Sequence, residues 1–102
     1  MQAVKVQGSG DKATLTIDKV TIPSPRGNEI LVKIKATALN RADLFQRTGN
    51  YDPPKGASNI LGLEMSGVVE KVGADVSKWK ICDRVFGLLP GGGYAEYCTI
   101  HE

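Results

Sequence analysis

The chain has 102 residues, 41% of them hydrophobic, which suits one domain around one compact core. A formal net charge of +2, carried by scattered Lys and Arg, gives no basic stripe for nucleic acid. No apolar run approaches the ~20 residues that span a bilayer, and Met1-Gln2-Ala3-Val4-Lys5-Val6 lacks the basic-then-apolar layout of a secretion signal, so a cytoplasmic protein with no membrane partner is expected.

Twelve glycines and five prolines point to many turns and a β-rich domain. Residues 1–7 alternate and read as a first strand, and Gly8-Ser9-Gly10-Asp11 reads as a turn. Residues 14–20 alternate again, as a half-buried strand, and residues 23–28 form a loop. The clearest strand is 30–38, with Ile30, Val32, Ile34, Ala36 and Ala38 expected on one face and Lys33, Lys35 and Thr37 on the other. The period changes at Asn40. Asn40-Arg41-Ala42-Asp43 has the form of a capping box in which Asp43 replaces the usual Glu or Gln. A short helix follows, with Leu44 and Phe45 expected to face the core and Gly49 to end it as a left-handed cap. The loop Tyr51-Asp52-Pro53-Pro54-Lys55-Gly56 is stiffened by its prolines. Residues 65–72 read as a strand, and 74–83 as a loop holding Trp79. Two last strands, 84–89 and 94–100, are expected to form a hairpin through Pro90-Gly91-Gly92-Gly93. The sum is a mostly antiparallel, barrel-like β domain with one short helix and no βαβ unit.

The glycine run at 91–93 does not have the spacing of a dinucleotide fingerprint and does not open a helix. Cys82 and Cys98 match no zinc-binding pattern, and His101 is the only histidine, so no metal site is expected. Both thiols read as reduced and in or near the core. Asn40 has two readings: its amide serves a backbone N–H as a helix cap, or it faces a cleft and orients a carboxamide or carbonyl oxygen. Tyr51 is either a surface residue or a phenol that stacks on a planar ring and donates a hydrogen bond. Asp43 reads as a carboxylate favoured by the helix dipole, with a catalytic role as the alternative. Arg41 and Arg47 read as solvated helix arginines, or as partners of a cofactor phosphate. Glu64 stands in an apolar, small-residue stretch and must be paired or near water; an arginine partner is expected. Gly62, Gly67 and Gly73 are expected at tight backbone approaches or bulges.

Asn40-Arg41-Ala42-Asp43-Leu44, Gln46-Arg47-Thr48-Gly49-Asn50-Tyr51-Asp52-Pro53-Pro54, Gly56-Ala57-Ser58-Asn59-Ile60-Leu61-Gly62-Leu63-Glu64 and Leu88-Leu89-Pro90-Gly91-Gly92-Gly93 together carry a family resemblance. They resemble the GroES-like domain of the zeta-crystallin-like quinone oxidoreductases, in the medium-chain dehydrogenase/reductase superfamily. In that superfamily's zinc alcohol dehydrogenases the positions of Asn40 and Leu63 are zinc ligands, and neither residue suits Zn²⁺. The resemblance therefore implies a zinc-independent, NADPH-dependent reductase that transfers hydride to quinones or activated enones. It implies a mostly β, GroES-like, partly open barrel with one or two short helices over 1–102, truncated before a Rossmann nucleotide-binding domain. It places Asn40 and Tyr51 on the nicotinamide side as catalytic and cofactor-binding residues. It implies a homodimeric full-length protein and an inactive isolated domain without useful NADPH affinity. The rivals are a non-enzymatic GroES-like interaction module, for which no long glycine-rich mobile loop is present, and a zinc dehydrogenase.

Overall fold

The computed structural model describes residues 1–8, 10–48 and 58–102. The elements are β1 (Gln2–Gln7), a short 3-10 turn (Gly10–Lys12), β2 (Thr14–Lys19), β3 (Glu29–Thr37), α1 (Arg41–Thr48), β4 (Glu64–Val72), β5 (Arg84–Leu88) and β6 (Tyr97–His101). The strands β1 and β2 make a two-stranded antiparallel ribbon, and the rest make a four-stranded sheet in the order β5-β4-β3-β6. The ribbon leans on the segment before β6: Ala3 bridges Ala95, and the Val4 N–H donates to the Tyr94 carbonyl at 2.8 Å. The two sheets do not close, so the domain is a partly open, mostly β structure, as expected. Among the described residues no helix is long and apolar enough to cross a membrane.

The core lies on one face of the larger sheet, where Ile30, Val32, Met65, Val69, Val85, Leu89 and Cys98 pack together. Strand β3 is central because it pairs with both β4 and β6. Its expected alternation holds only in part: Ile30 and Val32 are buried and Lys33 is exposed, but Leu31 is buried as well and Ala36 is exposed. Register shifts between Leu31 and Val32 and between Ile34 and Ala36 account for this. Each irregularity turns the strand and changes which side chains face inward. The expected close approaches are present. A Cβ on Gly67 would stand 2.2 Å from the Lys33 carbonyl oxygen, and one on Gly73 2.3 Å from that of Gly27.

Two expectations are overturned. First, β5 and β6 do not form a hairpin; they are the two opposite edges of the sheet. The strand β5 is already satisfied by β4, and β6 by β3, so residues 90–96 cross over as a strap. The strap is bonded to the segment before β4: Gly92 N–H to the Ile60 carbonyl at 2.8 Å, Gly93 to Gly62 at 3.1 Å and Tyr94 to Leu61 at 2.9 Å. Second, Leu44 and Phe45 do not face the core, being 60% and 47% exposed. The inward position of α1 belongs to Asp43, which is 4% exposed. The expected cap at Gly49 lies outside the described residues.

Candidate functional site

The site forms where β3 hands over to α1. The chain leaves β3 through Ala38 and Leu39 and turns into the helix at Asn40. The Asn40 N–H donates to Asp43 Oδ2 at 2.8 Å, and the Asp43 N–H donates to the Asn40 carbonyl at 3.0 Å. The capping box is therefore half built, with the Asp43 carboxylate reaching back to the cap. The other half is missing, because the Asn40 side chain is directed elsewhere. Its Nδ2 donates to Glu64 Oε2 at 3.2 Å, so the amide does not cap the helix.

Glu64 opens β4 and is brought alongside by the sheet. Thr37 pairs with Met65, and Thr37 Oγ1 donates to the Glu64 carbonyl at 2.7 Å. The expected arginine partner is not there; among the described residues Glu64 is met by the Asn40 amide instead. The arginines are placed otherwise. Arg47 donates from Nη1 to the Ala13 carbonyl at 2.9 Å, which ties α1 to the start of β2, and Arg41 is exposed.

Tyr94 completes the arrangement, and nothing in the sequence reading singled it out. The strap delivers its ring beside the helix start, where its O–H donates to Asp43 Oδ2, with the Ala38 carbonyl 3.4 Å away. Burial, reinforced by the hydrogen bond to Asp43 and the charges of Asp43 and Glu64, pushes the phenol well above its usual pKa. It is a donor held in place, not a group that ionises near neutrality. Asp43 Oδ2 thus takes two donors, whereas its buried Oδ1 has no hydrogen-bond partner among the described residues. The only sequence signals for this pair are the capping-box position of Asp43 and a tyrosine directly after a glycine run.

Leu39, Asn40, Asp43, Arg47, Leu61 and Tyr94 line a cavity of about 320 Å³. On the far side of the Asn40–Glu64 bridge lies a groove of about 350 Å³ between Thr37, Ala38, Glu64, Phe86 and Leu88. Leu39 and Phe86 are 86% and 87% exposed, so both hollows are rimmed by apolar side chains open to solvent. Tyr51 lies outside the described residues.

The two cysteines separate in character. Cys98 is in the core, and burial pushes its thiol up to about 11. Cys82, read as core or near-core, is exposed: it sits in the turn before β5 with φ at 80°. Iodoacetamide is expected to alkylate Cys82 in the folded chain and to reach Cys98 only on unfolding; equal rates by mass spectrometry would contradict this. A pH effect follows. The unfolded chain releases the Cys98 proton near 9.0 and the folded chain near 11, so the unfolded state binds fewer protons in between. Stability should therefore fall as pH rises through that window.

The alcohol dehydrogenase GroES-like domain family matches residues 26–102. Quinone oxidoreductase of Sus scrofa is 36% identical over 99 residues, which covers 95% of this chain and 30% of that protein. Synaptic vesicle membrane protein VAT-1 homolog-like of Mus musculus is 36% identical over 100 residues, covering 97% of this chain and 24% of that protein. The crystal structure of Escherichia coli quinone oxidoreductase complexed with NADPH has a TM-score of 0.81 at 33% identity, covering 97% of this chain and 30% of that one. The chain thus spans less than a third of the length of these relatives. A partly open β domain, matched over most of its length in both sequence and fold, belongs to the alcohol dehydrogenase GroES-like domain family, in the part of the medium-chain dehydrogenase/reductase superfamily that holds the quinone oxidoreductases.

Proposed function

We propose that this chain is the substrate-side domain of a zinc-independent, NADPH-dependent reductase that passes hydride to quinones or activated enones. The observation that carries the reading is the Asn40 amide, held between the start of α1 and the start of β4 at the wall of an open cavity. Where the zinc relatives have a cysteine and a histidine, this chain has Asn40 and Leu63. The side-chain donors at the site are an amide, two carboxylates and a phenol, with no thiolate or imidazole. Such a set does not suit a tetrahedral zinc centre built on sulfur and nitrogen.

The residues fit one end of NADPH. A flat ring bearing a carboxamide matches a cavity with Leu39 and Leu61 as apolar walls and Asn40 as its polar handle. The diphosphate does not fit. Asp43 and Glu64 would repel it, and the glycine run is packed on backbone carbonyls, with a Cβ on Gly91 only 2.9 Å from the Ser58 oxygen. In this reading a following Rossmann domain binds the phosphates. NADPH, when bound, supplies the hydride. Within this chain Asn40 orients the carboxamide side and Leu39 keeps water from the ring. Tyr51 would be the residue that supplies a phenol donor to the oxygen where negative charge develops. The same reading makes the full-length protein a cytoplasmic homodimer that acts on a small molecule.

The test is NADPH oxidation by the full-length protein with a quinone acceptor. Asn40→Ala and Tyr51→Phe should each lower kcat/KM about tenfold, equivalent to about 1.4 kcal/mol. Full activity in both variants, or stoichiometric zinc in the active enzyme, would defeat the reading. The 102-residue chain alone should not bind NADPH at micromolar concentration, as read by Trp79 fluorescence.

A further inference from the structure

We infer that Glu64 and Tyr94 are positioning residues for Asn40: Glu64 aligns its side-chain amide directly, and Tyr94 fixes its backbone through Asp43. This rests on the reductase reading and deepens it by giving two further residues a part in the reaction. Asn40 lies on the short connection between β3 and α1, at the wall of the cavity. A side chain on a connection turns about its χ angles unless something holds it, and ordering it only when the ligand arrives weakens what it contributes. Asn40 is held at both of its nitrogens. Nδ2 donates to Glu64 Oε2 at 3.2 Å, and the backbone N–H donates to Asp43 Oδ2 at 2.8 Å. The first bond uses one of the two Nδ2–H groups, so among the described residues the second N–H and Oδ1 are left for a ligand.

Both holders are themselves tied to strands. Glu64 pairs with Leu88, and its carbonyl accepts from Thr37 Oγ1 at 2.7 Å. Tyr94 is pinned at both of its backbone groups: its N–H donates to the Leu61 carbonyl at 2.9 Å, and its carbonyl accepts from the Val4 N–H at 2.8 Å. Its hydroxyl then reaches Asp43 Oδ2, the same oxygen that takes the Asn40 N–H. One path to Asn40 thus runs from β1 and the Leu61 segment through Tyr94 and Asp43 to the backbone. The other runs from β3 and β4 through Glu64 to the amide. The two anchors act on different atoms of one residue, so neither replaces the other. A functional group keeps its effect only when held to roughly 0.5 Å by its supporting contacts. Misplacement costs kcat more than binding, because a misaligned amide still touches its ligand.

The experiment measures kcat and KM for NADPH-dependent quinone reduction by the full-length protein. Glu64→Ala, Glu64→Gln and Tyr94→Phe are each made in the wild type and in Asn40→Ala. Glu64→Ala and Tyr94→Phe should each lower kcat about fivefold and leave KM nearly unchanged. Glu64→Gln keeps an acceptor for Nδ2 and should retain nearly full kcat. In the Asn40→Ala background none of the three should lower kcat further, because the group they position is gone. A merely structural role would lower activity equally in both backgrounds. Unchanged kcat in Glu64→Ala or in Tyr94→Phe, a loss of the same size in the Asn40→Ala background, or a Glu64→Gln as slow as Glu64→Ala overturns the inference. Full activity in Asn40→Ala, or no NADPH oxidation at all, sinks the reductase reading instead. In that event ¹⁵N relaxation of the Asn40 side-chain amide, which needs no turnover, decides whether Asn40 is held. The amide should be as ordered as the neighbouring backbone in the wild type and should loosen in Glu64→Ala. An amide already mobile in the wild type, or equally ordered in both, overturns the inference.

Discussion

Asp43→Ala should destabilise the domain by about 3 kcal/mol, because two donors lose their shared acceptor at once. The Asn40 N–H and the Tyr94 O–H both end on Asp43 Oδ2, and Asp43 is 4% exposed. A hydrogen bond to a charged group contributes roughly 1.5–3 kcal/mol, and removing the acceptor strands the donors. Two effects reduce the sum. Tyr94 is only partly buried, so water can reach its hydroxyl. The unpartnered Oδ1 also disappears, and with it the cost of burying it. For a chain of this length the expected fall in melting temperature is on the order of 15 °C. Tyr94→Phe removes only one of the two donors and should cost about 1 kcal/mol. The double variant should lose less than the sum of the single changes, since both act on one network. Thermal unfolding of the three variants measures this. A change below about 0.5 kcal/mol for Asp43→Ala would mean that the network is not a stabilising unit.

Gly62→Ala should be as damaging, for a steric reason. Gly62 sits at φ +110°, and a Cβ there would stand 2.5 Å from both Gly93 Cα and Tyr94 N. Those atoms are backbone, so no side-chain rotation relieves the contact. Strain at such a φ costs roughly 1–3 kcal/mol, and forced overpacking adds about 1–3 more. Relief requires the strap to lift, and the strap carries Tyr94 to Asp43. The variant should therefore melt lower and also lose the near-ultraviolet signal of an ordered tyrosine. Gly10→Ala is the matched control. Its φ is +64° with nothing among the described residues within 4 Å of the added Cβ, so only the backbone preference is lost, about 1 kcal/mol. Equal effects at the two positions would show that the close approach at Gly62 carries no weight.

Much of the architecture was legible in the sequence because strands write their pattern locally. Alternation over 1–7 and 14–20 marked β1 and β2, and Gly67 and Gly73 marked places where another backbone comes too near for a side chain. The misreadings have a common cause. The glycine run at 91–93 resembled a hairpin turn because its flanking strands are neighbours in sequence. Their partners are set by which edges of β3 and β4 remain open, and that is a property of the whole sheet. Hydrophobicity alone points Leu44 and Phe45 at the core. Helical periodicity defines faces but does not say which face meets the domain, and the inward face carries Asp43.

The candidate site divides along the same line. Asn40 and Asp43 could be paired from sequence, since a capping box is local and its spacing is three residues. The sequence by itself also determined the residue types at Asn40 and Leu63, neither of which is a Zn²⁺ ligand type. Only the tertiary structure decided that Tyr94, 51 positions from Asp43, closes the network. It alone decided that Glu64, 24 positions from Asn40, stands opposite the Asn40 amide. What meets the Asn40 side chain is not a property of the asparagine but of what stands opposite it, and here that is fixed by the register of β3 against β4 and the crossing of the strap.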